Sequence, residues 1–304
     1  MRLDLALVAR GLARSRTVAR AAIEAGRVTV NGRAIVKPAH PVEESAQIEI
    51  DGDDRYVSRA ALKLVAALDV AEIDVTGMLA LDLGASTGGF TQVLLERGAR
   101  QVIALDVGHG QLAPELRRDP RVVVVEGENA RALDGERLIV ASGVAERPAI
   151  VVADLSFISL TLVLPAIVAT VGTDLPIVLL IKPQFEAGRQ GIREGIVRSA
   201  AVREDAIMSV LWAASDLGLL ASELISSPIV GTGGNHEYLV VFRPGSGVHP
   251  TEWRGRAAEL ALAHVSTRAV PDRLPADRLP TDRLPADRLP ADRPPADRPE
   301  KGSS

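Results

Sequence analysis

The sequence predicts an α/β fold with a mostly parallel sheet, preceded by a small basic α+β unit and followed by a disordered tail. From residue 79 onward, short apolar runs of strand length alternate with helical stretches, and such alternation is typical of parallel sheets covered on both faces. Residues 1–42 carry eight basic and two acidic side chains. From Pro271 the chain repeats Pro, Asp and Arg about every five residues, a composition that favours neither helix nor sheet.

The composition excludes several kinds of site. The 304 residues suffice for two domains, and with only 3% aromatic residues the core must consist of Val, Leu, Ile and Ala. The absence of cysteine excludes disulfides, zinc–thiolate sites and cysteine nucleophiles. The histidines lack the spacing of metal ligands, so we expect no metal; they are His40, His109, His236, His249 and His264.

Nothing in the sequence predicts a membrane protein. The N-terminal segment carries arginines throughout, unlike a signal peptide. The apolar runs are far too short to span a bilayer. We therefore expect a soluble, cytoplasmic protein.

The first fifty residues predict two helices and a small hairpin. Helical periodicity covers residues 2–9 and 15–25, with Ser15 as a plausible N-cap. Asn31-Gly32 between two apolar triplets is a strong hairpin signal, with strands at 28–30 and 34–36, and residues 48–50 supply a further strand. The helices would place several arginines beside the hairpin, and such a basic surface is the electrostatic signature of nucleic-acid binding.

These segments resemble a known RNA-binding domain. Arg2-Leu3-Asp4, Ser15-Arg16 and the run from Ile23 to Gly32 resemble the domain named after ribosomal protein S-four, also called the α-L motif. In that family the two-helix face and the following turn contact structured RNA. The resemblance implies RNA-binding roles for Arg14, Arg16, Arg20 and Arg27.

A glycine-rich loop joins the strand at 79–83 to the next helix. Its glycines are Gly84, Gly88 and Gly89; glycines let the backbone approach a ligand, and the helix N-terminus offers free N–H groups. The next strand, from residue 101, ends in Asp106, and an acidic residue at that distance commonly binds the ribose hydroxyls of a nucleoside cofactor.

The identity of the cofactor follows from spacing and charge. The glycines depart from the G-x-G-x-x-G pattern of dinucleotide-binding loops. Asp82, near the end of the strand, would suit a cationic ligand better than a pyrophosphate. The loop resembles motif I of S-adenosylmethionine-dependent methyltransferases, which implies that cofactor. The residues expected to bind it are Asp82, Gly84, Ser86, Thr87, Gly88, Gly89, Phe90, Asp106 and, beside the adenine, Asn129.

Three ionisable side chains stand where strands of the predicted sheet end or begin. Asp154 and Lys182 each follow a strand, and Glu237 precedes the last one. Ligands of open α/β sheets bind at the carboxyl ends of the strands. Together with Lys63, these residues match the Lys-Asp-Lys-Glu tetrad of FtsJ-like ribose 2′-O-methyltransferases. The segment Ser86–Phe90 also resembles the cofactor loop of that family.

Residues 1–243 as a whole resemble the TlyA family, whose members methylate cytidine ribose 2′-OH groups in ribosomal RNA. The resemblance implies ribosomal RNA or ribosomal subunits as the partner and Lys182 as the proton acceptor. Burial and the charge of Lys63 would favour a neutral Lys182 amine, whereas Asp154 and Glu237 would favour the charged form, so the balance stays open.

The loop at residues 184–199 has two interpretations. It is glycine-rich and carries Arg189, Arg193 and Arg198. It could close over substrate RNA, with Phe185 available for stacking, or it could be an ordinary solvated loop.

We predict an RNA-binding domain at 1–54, a linker at 55–62, a methyltransferase domain at 63–265 and a disordered tail at 266–304. Two other functions fit the sequence less well. A nicotinamide-dependent dehydrogenase fits the fold, but the glycine spacing and the basic N-terminal unit count against it. A membrane-lytic haemolysin, a label historically attached to the TlyA family, would need a spanning or strongly amphipathic element, which the sequence does not show.

Overall fold

The computed structural model of the chain describes residues 1–50, 55–187 and 195–263. The connector at 51–54, the loop arginines Arg189 and Arg193, and the predicted tail lie outside the described residues. No helix in the described part of the chain combines the length and the apolar character that a membrane crossing requires.

The N-terminal unit, residues 1–50, contains the two predicted helices and a small antiparallel sheet. The Ser15 hydroxyl accepts a hydrogen bond from the Val18 N–H at 3.3 Å, which confirms the predicted cap of the second helix. The strands lie in the order β2-β1-β3. The elements are α1 (Leu3–Ala9), α2 (Arg16–Glu24), β1 (Val28–Val30), β2 (Arg33–Ala34) and β3 (Ile48–Ile50).

The predicted hairpin turn is confirmed, with one strand shorter than expected. Asn31 and Gly32 both have positive φ angles, 50° and 75°, as a type I′ turn requires. The returning strand ends at Ala34 rather than at residue 36. The Ile35 N–H still donates to the Val28 carbonyl at 2.9 Å, so the backbone pairing extends one residue past the strand.

A buried carboxylate organises the arginines of this unit. Asp4 is fully buried and accepts hydrogen bonds from Arg2 and Arg16, each at 2.9 Å. These two guanidinium groups hold the pKa of Asp4 far below its usual range. The Arg10 guanidinium donates to three backbone carbonyls of residues 43–46. At least three of the basic side chains therefore contribute to the structure of the unit itself.

The second part of the chain forms a seven-stranded sheet in the order β6-β5-β4-β7-β8-β10-β9. The first five strands in that order are parallel, and β10 runs antiparallel to both neighbours. The strands are β4 (Leu79–Leu83), β5 (Gln101–Asp106), β6 (Val122–Glu126), β7 (Ile150–Ala153), β8 (Ile177–Ile181), β9 (Ala221–Ser226) and β10 (Tyr238–Phe242).

Helices cover both faces of this sheet. The apolar side chains divide into two clusters, one on each face: Leu81 and Leu83 belong to one and Ala80 to the other, because successive strand residues point to opposite faces. The helices are α3 (Ala61–Val70), α4 (Gly89–Glu96), α5 (Pro114–Arg117), α6 (Gly135–Ser142), α7 (Leu160–Val171), α8 (Pro183–Glu186), α9 (Ala200–Asp216) and α10 (Arg254–Leu262). The mainly parallel α/β architecture predicted from the sequence is thus confirmed.

Candidate active site

Four ionisable side chains meet at one edge of the large sheet. Asp154 and Lys182 directly follow the parallel strands β7 and β8. Because β10 is antiparallel to β8 and Tyr238 pairs with Ile181, the preceding residue Glu237 lies at the same edge. Lys63 comes from α3. The structure thus brings together the four residues that the sequence predicted as a tetrad.

The four side chains form a continuous chain of ionic contacts. Lys182 Nζ lies 2.5 Å from Asp154 Oδ1, and Lys63 Nζ lies 3.5 Å from Asp154 Oδ2. Lys63 Nζ is also 2.7 Å from Glu237 Oε2, an ion pair whose angles fall outside hydrogen-bond geometry. Two carboxylates therefore hold two amines, with Asp154 between them.

The tetrad is largely removed from solvent. The exposed fractions of Lys63, Lys182 and Glu237 are 6%, 7% and 3%. Buried charges are tolerated only when they are paired, and here the two positive and two negative groups balance. Gly231 leaves room for the Glu237 carboxyl, which a Cβ at that position would overlap.

Other side chains complete the surroundings of Lys182. Its amine donates to the Ser156 hydroxyl at 2.8 Å and lies 5.9 Å from the Phe185 ring centre. The Phe185 ring is 5.1 Å from that of Phe157, a side chain that is 90% exposed. Phe157 also has a positive φ of 65°, a conformation that is uncommon for a bulky residue and often occurs at functional sites.

Two cavities meet at this edge of the sheet. The smaller, of about 300 Å³, is lined by the tetrad together with Thr87, Gly89 and Phe90. The larger, of about 540 Å³, is lined by Asp106 and Asn129 among others. The two cavities share four lining residues, Gly84, Ser86, Asp154 and Ser156. A ligand in the larger cavity would therefore lie next to the tetrad.

The loop between the cavities requires glycine. Gly84 has a φ of 80°, and a Cβ there would lie 2.8 Å from the Asp154 carbonyl oxygen, so the loop and the end of β7 can approach only without a side chain. Asp106 holds the loop from the other side. Its carboxylate accepts from the N–H groups of Ser86 at 2.8 Å and Gly108 at 2.7 Å.

The larger cavity fits a nucleoside that carries positive charge. Its lining includes the carboxylates Asp106, Glu128 and Asp154, and no lysine or arginine among its described lining residues. Such a lining attracts a sulfonium and an ammonium and repels a pyrophosphate. Asn129 lies here too, although its Oδ1 already accepts from the Arg131 N–H at 3.0 Å. The residues present would hold S-adenosylmethionine through Gly84, Ser86, Asp106 and Asn129.

Two residues predicted to contact the cofactor lie elsewhere. Asp82 lines neither cavity, because it is fully buried and faces α4, where it accepts from the Thr91 hydroxyl at 2.6 Å. Gly88 lies against Leu116 and Leu112. Direct contacts of Asp82 and Gly88 with the cofactor therefore have no support in this geometry. Both positions instead help to define the conformation of the loop.

Asp82 gives a prediction about stability. Burial raises the pKa of its carboxyl from 3.8 to about 7, so the folded protein retains this proton more tightly than the unfolded one. The stabilisation is complete below the unfolded pKa and is lost as the pH rises through about 7, by up to about 4 kcal/mol. Asp82→Asn cannot ionise and still accepts from Thr91, so it should flatten this decline. Chemical unfolding of both proteins across this pH range is the measurement, and parallel stability curves would contradict the expectation.

The four predicted RNA-binding arginines all have partners within the protein. Arg16 binds Asp4, and Arg20 lies 3.6 Å from Glu24. Arg14 pairs with Glu115, and Arg27 also makes an interaction. The exposed pair at Arg20 is of the kind that contributes little, so RNA phosphate can compete for it.

Several residues that support the site were not predicted from the sequence. Ser156 stands two positions after Asp154, and this proximity could have indicated that it belongs to the site. Asn235 accepts from the Val197 N–H at 3.1 Å and donates to the Gly195 carbonyl at 2.9 Å, which ties the loop before Glu237 to the chain ahead of α9.

A buried arginine supports the same segment. Arg203, 6% exposed, donates to the carbonyls of Val197 and Arg198 at 3.2 and 3.0 Å and to that of Ala261 at 2.6 Å. These carbonyls include one at the C-terminal end of α10, where partial negative charge accumulates. No short-range sequence pattern signals such a contact.

Comparisons with known proteins agree with this geometry. The model of the FtsJ-like methyltransferase family matches residues 56–244, and that of the S4 domain matches residues 1–48. The 16S/23S rRNA (cytidine-2′-O)-methyltransferase TlyA of Mycobacterium tuberculosis is 47% identical over 245 residues, 80% of this chain and 89% of that protein. Hemolysin A of Brachyspira hyodysenteriae is 41% identical over 80% of this chain and 99% of its own length. A solved structure described as a hemolysin from Streptococcus thermophilus has a TM-score of 0.64 and 37% identity, covering 86% of this chain and 95% of that one.

Proposed function

The chain belongs to the TlyA family of FtsJ-like methyltransferases, and from this premise we propose that it methylates the 2′-hydroxyl of cytidine in ribosomal RNA. The observation that carries the proposal is the buried Lys-Asp-Lys-Glu network beside an acidic, nucleoside-sized cavity. S-adenosylmethionine is the cofactor of this class of enzyme, and when bound it supplies an electrophilic methyl group.

The tetrad residues have distinct tasks in this reaction. A ribose hydroxyl is a weak nucleophile until its proton leaves, and a positioned side chain can accept that proton. Lys182, which lines the smaller cavity and contacts Asp154 and Ser156, is the proposed acceptor. Asp154 orients its amine at 2.5 Å, while Lys63, held between Asp154 and Glu237, fixes the Asp154 carboxylate and offsets its charge.

Substrate recognition is divided between two parts of the chain. The basic N-terminal unit supplies sequence-independent affinity for the RNA backbone through its exposed arginines. Beside the tetrad, the exposed Phe157 ring and its neighbour Phe185 offer apolar faces on which an unstacked base can lie. The relative from M. tuberculosis is named for both 16S and 23S rRNA, so we include both ribosomal subunits, and hence the cytoplasm, in the proposal.

The extent of the domains is part of the same proposal. The family match at 1–48 supports an RNA-binding domain that ends by residue 54, followed by the linker we propose at 55–62. The match at 56–244 supports the methyltransferase domain and also includes most of that linker. The methyltransferase domain then extends to about residue 265, ahead of the Pro-, Asp- and Arg-rich repeat.

Asp106→Ala should weaken cofactor binding and leave RNA affinity nearly unchanged. The substitution removes a carboxylate that lines the larger cavity and also releases the Ser86 and Gly108 N–H groups; losing hydrogen bonds to a charged group costs about 1.5–3 kcal/mol each, so we expect roughly a tenfold loss or more. Isothermal titration calorimetry with the cofactor measures the effect. Asp119→Ala is the matched control, since Asp119 pairs with Arg121 and lines neither cavity. Unchanged affinity in the Asp106 variant would contradict its assignment.

The proposed function is tested by mapping ribose methylation across ribosomal RNA from cells with and without the gene. We expect cytidine 2′-O-methylation that disappears with the gene and returns when purified protein and S-adenosylmethionine are added to the unmethylated ribosomal subunits. Identical methylation maps, together with no methyl transfer by the purified protein, would refute the proposal.

A further inference from the structure

The two lysines of the tetrad differ in their second partner, although both contact Asp154. Lys63 Nζ has Asp154 Oδ2 at 3.5 Å and Glu237 Oε2 at 2.7 Å. Lys182 Nζ has Asp154 Oδ1 at 2.5 Å and the Ser156 hydroxyl at 2.8 Å. One amine therefore contacts two carboxylates, and the other contacts one carboxylate and one uncharged group.

This difference gives the two amines different charge environments. A nearby opposite charge favours the charged form of an ionisable group. The ammonium of Lys63 is thus held by two negative charges and that of Lys182 by one. Among the described residues that line this cavity, Arg59 is the remaining charged side chain, and its positive charge would disfavour both ammonium groups.

Ser156 is also placed to influence the substrate. It is exposed and lines both cavities, so its hydroxyl stands where the larger cavity meets the tetrad. In the neutral amine that accepts a proton, Lys182 has two N–H groups and one lone pair. Asp154 and Ser156 accept the two N–H groups, so the lone pair is left for a ribose hydroxyl.

We propose that Ser156 is a positioning residue that makes Lys182, rather than Lys63, the proton acceptor of the tetrad, because it gives the Lys182 amine an uncharged second partner. The proposal rests on the proposed function. In the step concerned, the 2′-hydroxyl proton moves to the lone pair of Lys182 Nζ while an oxygen electron pair forms the bond to the methyl carbon. The methyl carbon leaves its sulfur, which keeps the electrons of the broken bond, and the ammonium later releases its proton to water.

The pH dependence of single-turnover methylation tests this role with three substitutions. Ser156→Asp gives Lys182 a second carboxylate, so the pH of half-maximal rate should rise by about one unit or more, with about a tenfold loss at neutral pH that recovers in alkali. Ser156→Ala removes the hydrogen bond, so the maximal rate should fall by up to roughly tenfold without an upward move of the profile. Ser156→Thr keeps the hydroxyl and should restore the rate.

A second measurement follows the protonation of each lysine without the methylation reaction. The chain has only four lysines, Lys37, Lys63, Lys182 and Lys301, so NMR spectra of lysine labelled at Cε with carbon-13 should resolve and assign each by substitution. We expect Ser156→Asp, which places a carboxylate beside Lys182, to change the pH response of the Lys182 signal. The Lys63 signal should respond to pH as in the wild type.

Two results would overturn the inference. One is a Ser156→Asp variant slowed by the same factor as Ser156→Ala at every pH, the behaviour of a merely structural residue. The other is a Ser156→Asp variant in which the Lys182 signal responds to pH as in the wild type. Ser222→Ala, which removes a hydroxyl on the edge strand β9, should behave as the wild type. Failure of the wild type to methylate ribosomal RNA would count against the proposed function, whereas the lysine titration reports on Ser156 independently.

Discussion

Lys182→Ala should lower the single-turnover methylation rate by about 10²–10⁴-fold, the range typical for loss of a general base. The substitution removes the proposed proton acceptor and leaves Asp154 paired with Lys63. Cofactor binding should persist, because Lys182 lines only the smaller cavity. The measurement is methyl transfer to ribosomal RNA at several pH values, with the cofactor affinity determined in parallel.

Lys182→Arg separates charge from proton transfer. A guanidinium keeps the positive charge but stays protonated at any working pH, so this variant should be nearly as slow as the alanine variant. Lys37→Arg is the matched control, because Lys37 is an exposed lysine of the N-terminal unit, and its rate should be unaffected. An active Lys182→Arg variant would show that the side chain acts only through its charge and that water takes the proton.

Removal of residues 1–50 should lower the affinity for ribosomal RNA by on the order of 10²-fold and flatten its salt dependence, since each phosphate contact contributes about 0.9 to the slope of log K against log salt. The cofactor cavity lies wholly in the second part of the chain, so cofactor affinity should be retained. Filter binding to ribosomal RNA fragments over a range of salt concentrations measures both the affinity and the slope.

A pair of point substitutions tests the same role of the N-terminal unit in the intact chain. Arg20→Gln and Arg97→Gln each remove an arginine from a surface ion pair, the first in the N-terminal unit and the second after α4. Only Arg20→Gln should reduce the salt slope, by about one unit. An equal effect of the two variants, or full RNA affinity in the truncated chain, would mean that the N-terminal unit has another role.

The positions of three tetrad residues could be predicted because each lies directly next to a strand that the local sequence pattern indicates. Asp154 and Lys182 follow apolar runs of strand length, and Glu237 precedes one, which is enough to place them at one edge. Lys63 lies on a helix about ninety residues before Asp154 in the sequence, and no periodicity connects the two. Only the resemblance to the FtsJ-like tetrad indicated it.

The direction in which a side chain points was harder to predict. Asp82 was expected to face the cofactor, but it shares the face of Ala80 and is covered by α4. The excess of arginine in residues 1–42 was correct as a count, yet it could not distinguish Arg10 and Arg16, which hold the unit together, from Arg20. Ser156 was missed because its importance arises from its distance to Lys182, which is a property of the folded chain.

The Arg203 contacts determine where this protein can be shortened. Its guanidinium is buried and depends on the Ala261 carbonyl at the end of α10, while the same group holds the chain at Val197. A chain cut before Ala261 would leave a buried cation without two of its hydrogen bonds, a loss that costs about 1.5–3 kcal/mol for each bond to a charged group. The segment at Val197 and Arg198, ahead of α9, would lose the same support. A shortened protein for crystallisation or ligand screening should therefore retain α10 through residue 263, although α10 contributes no side chain to the lining of either cavity.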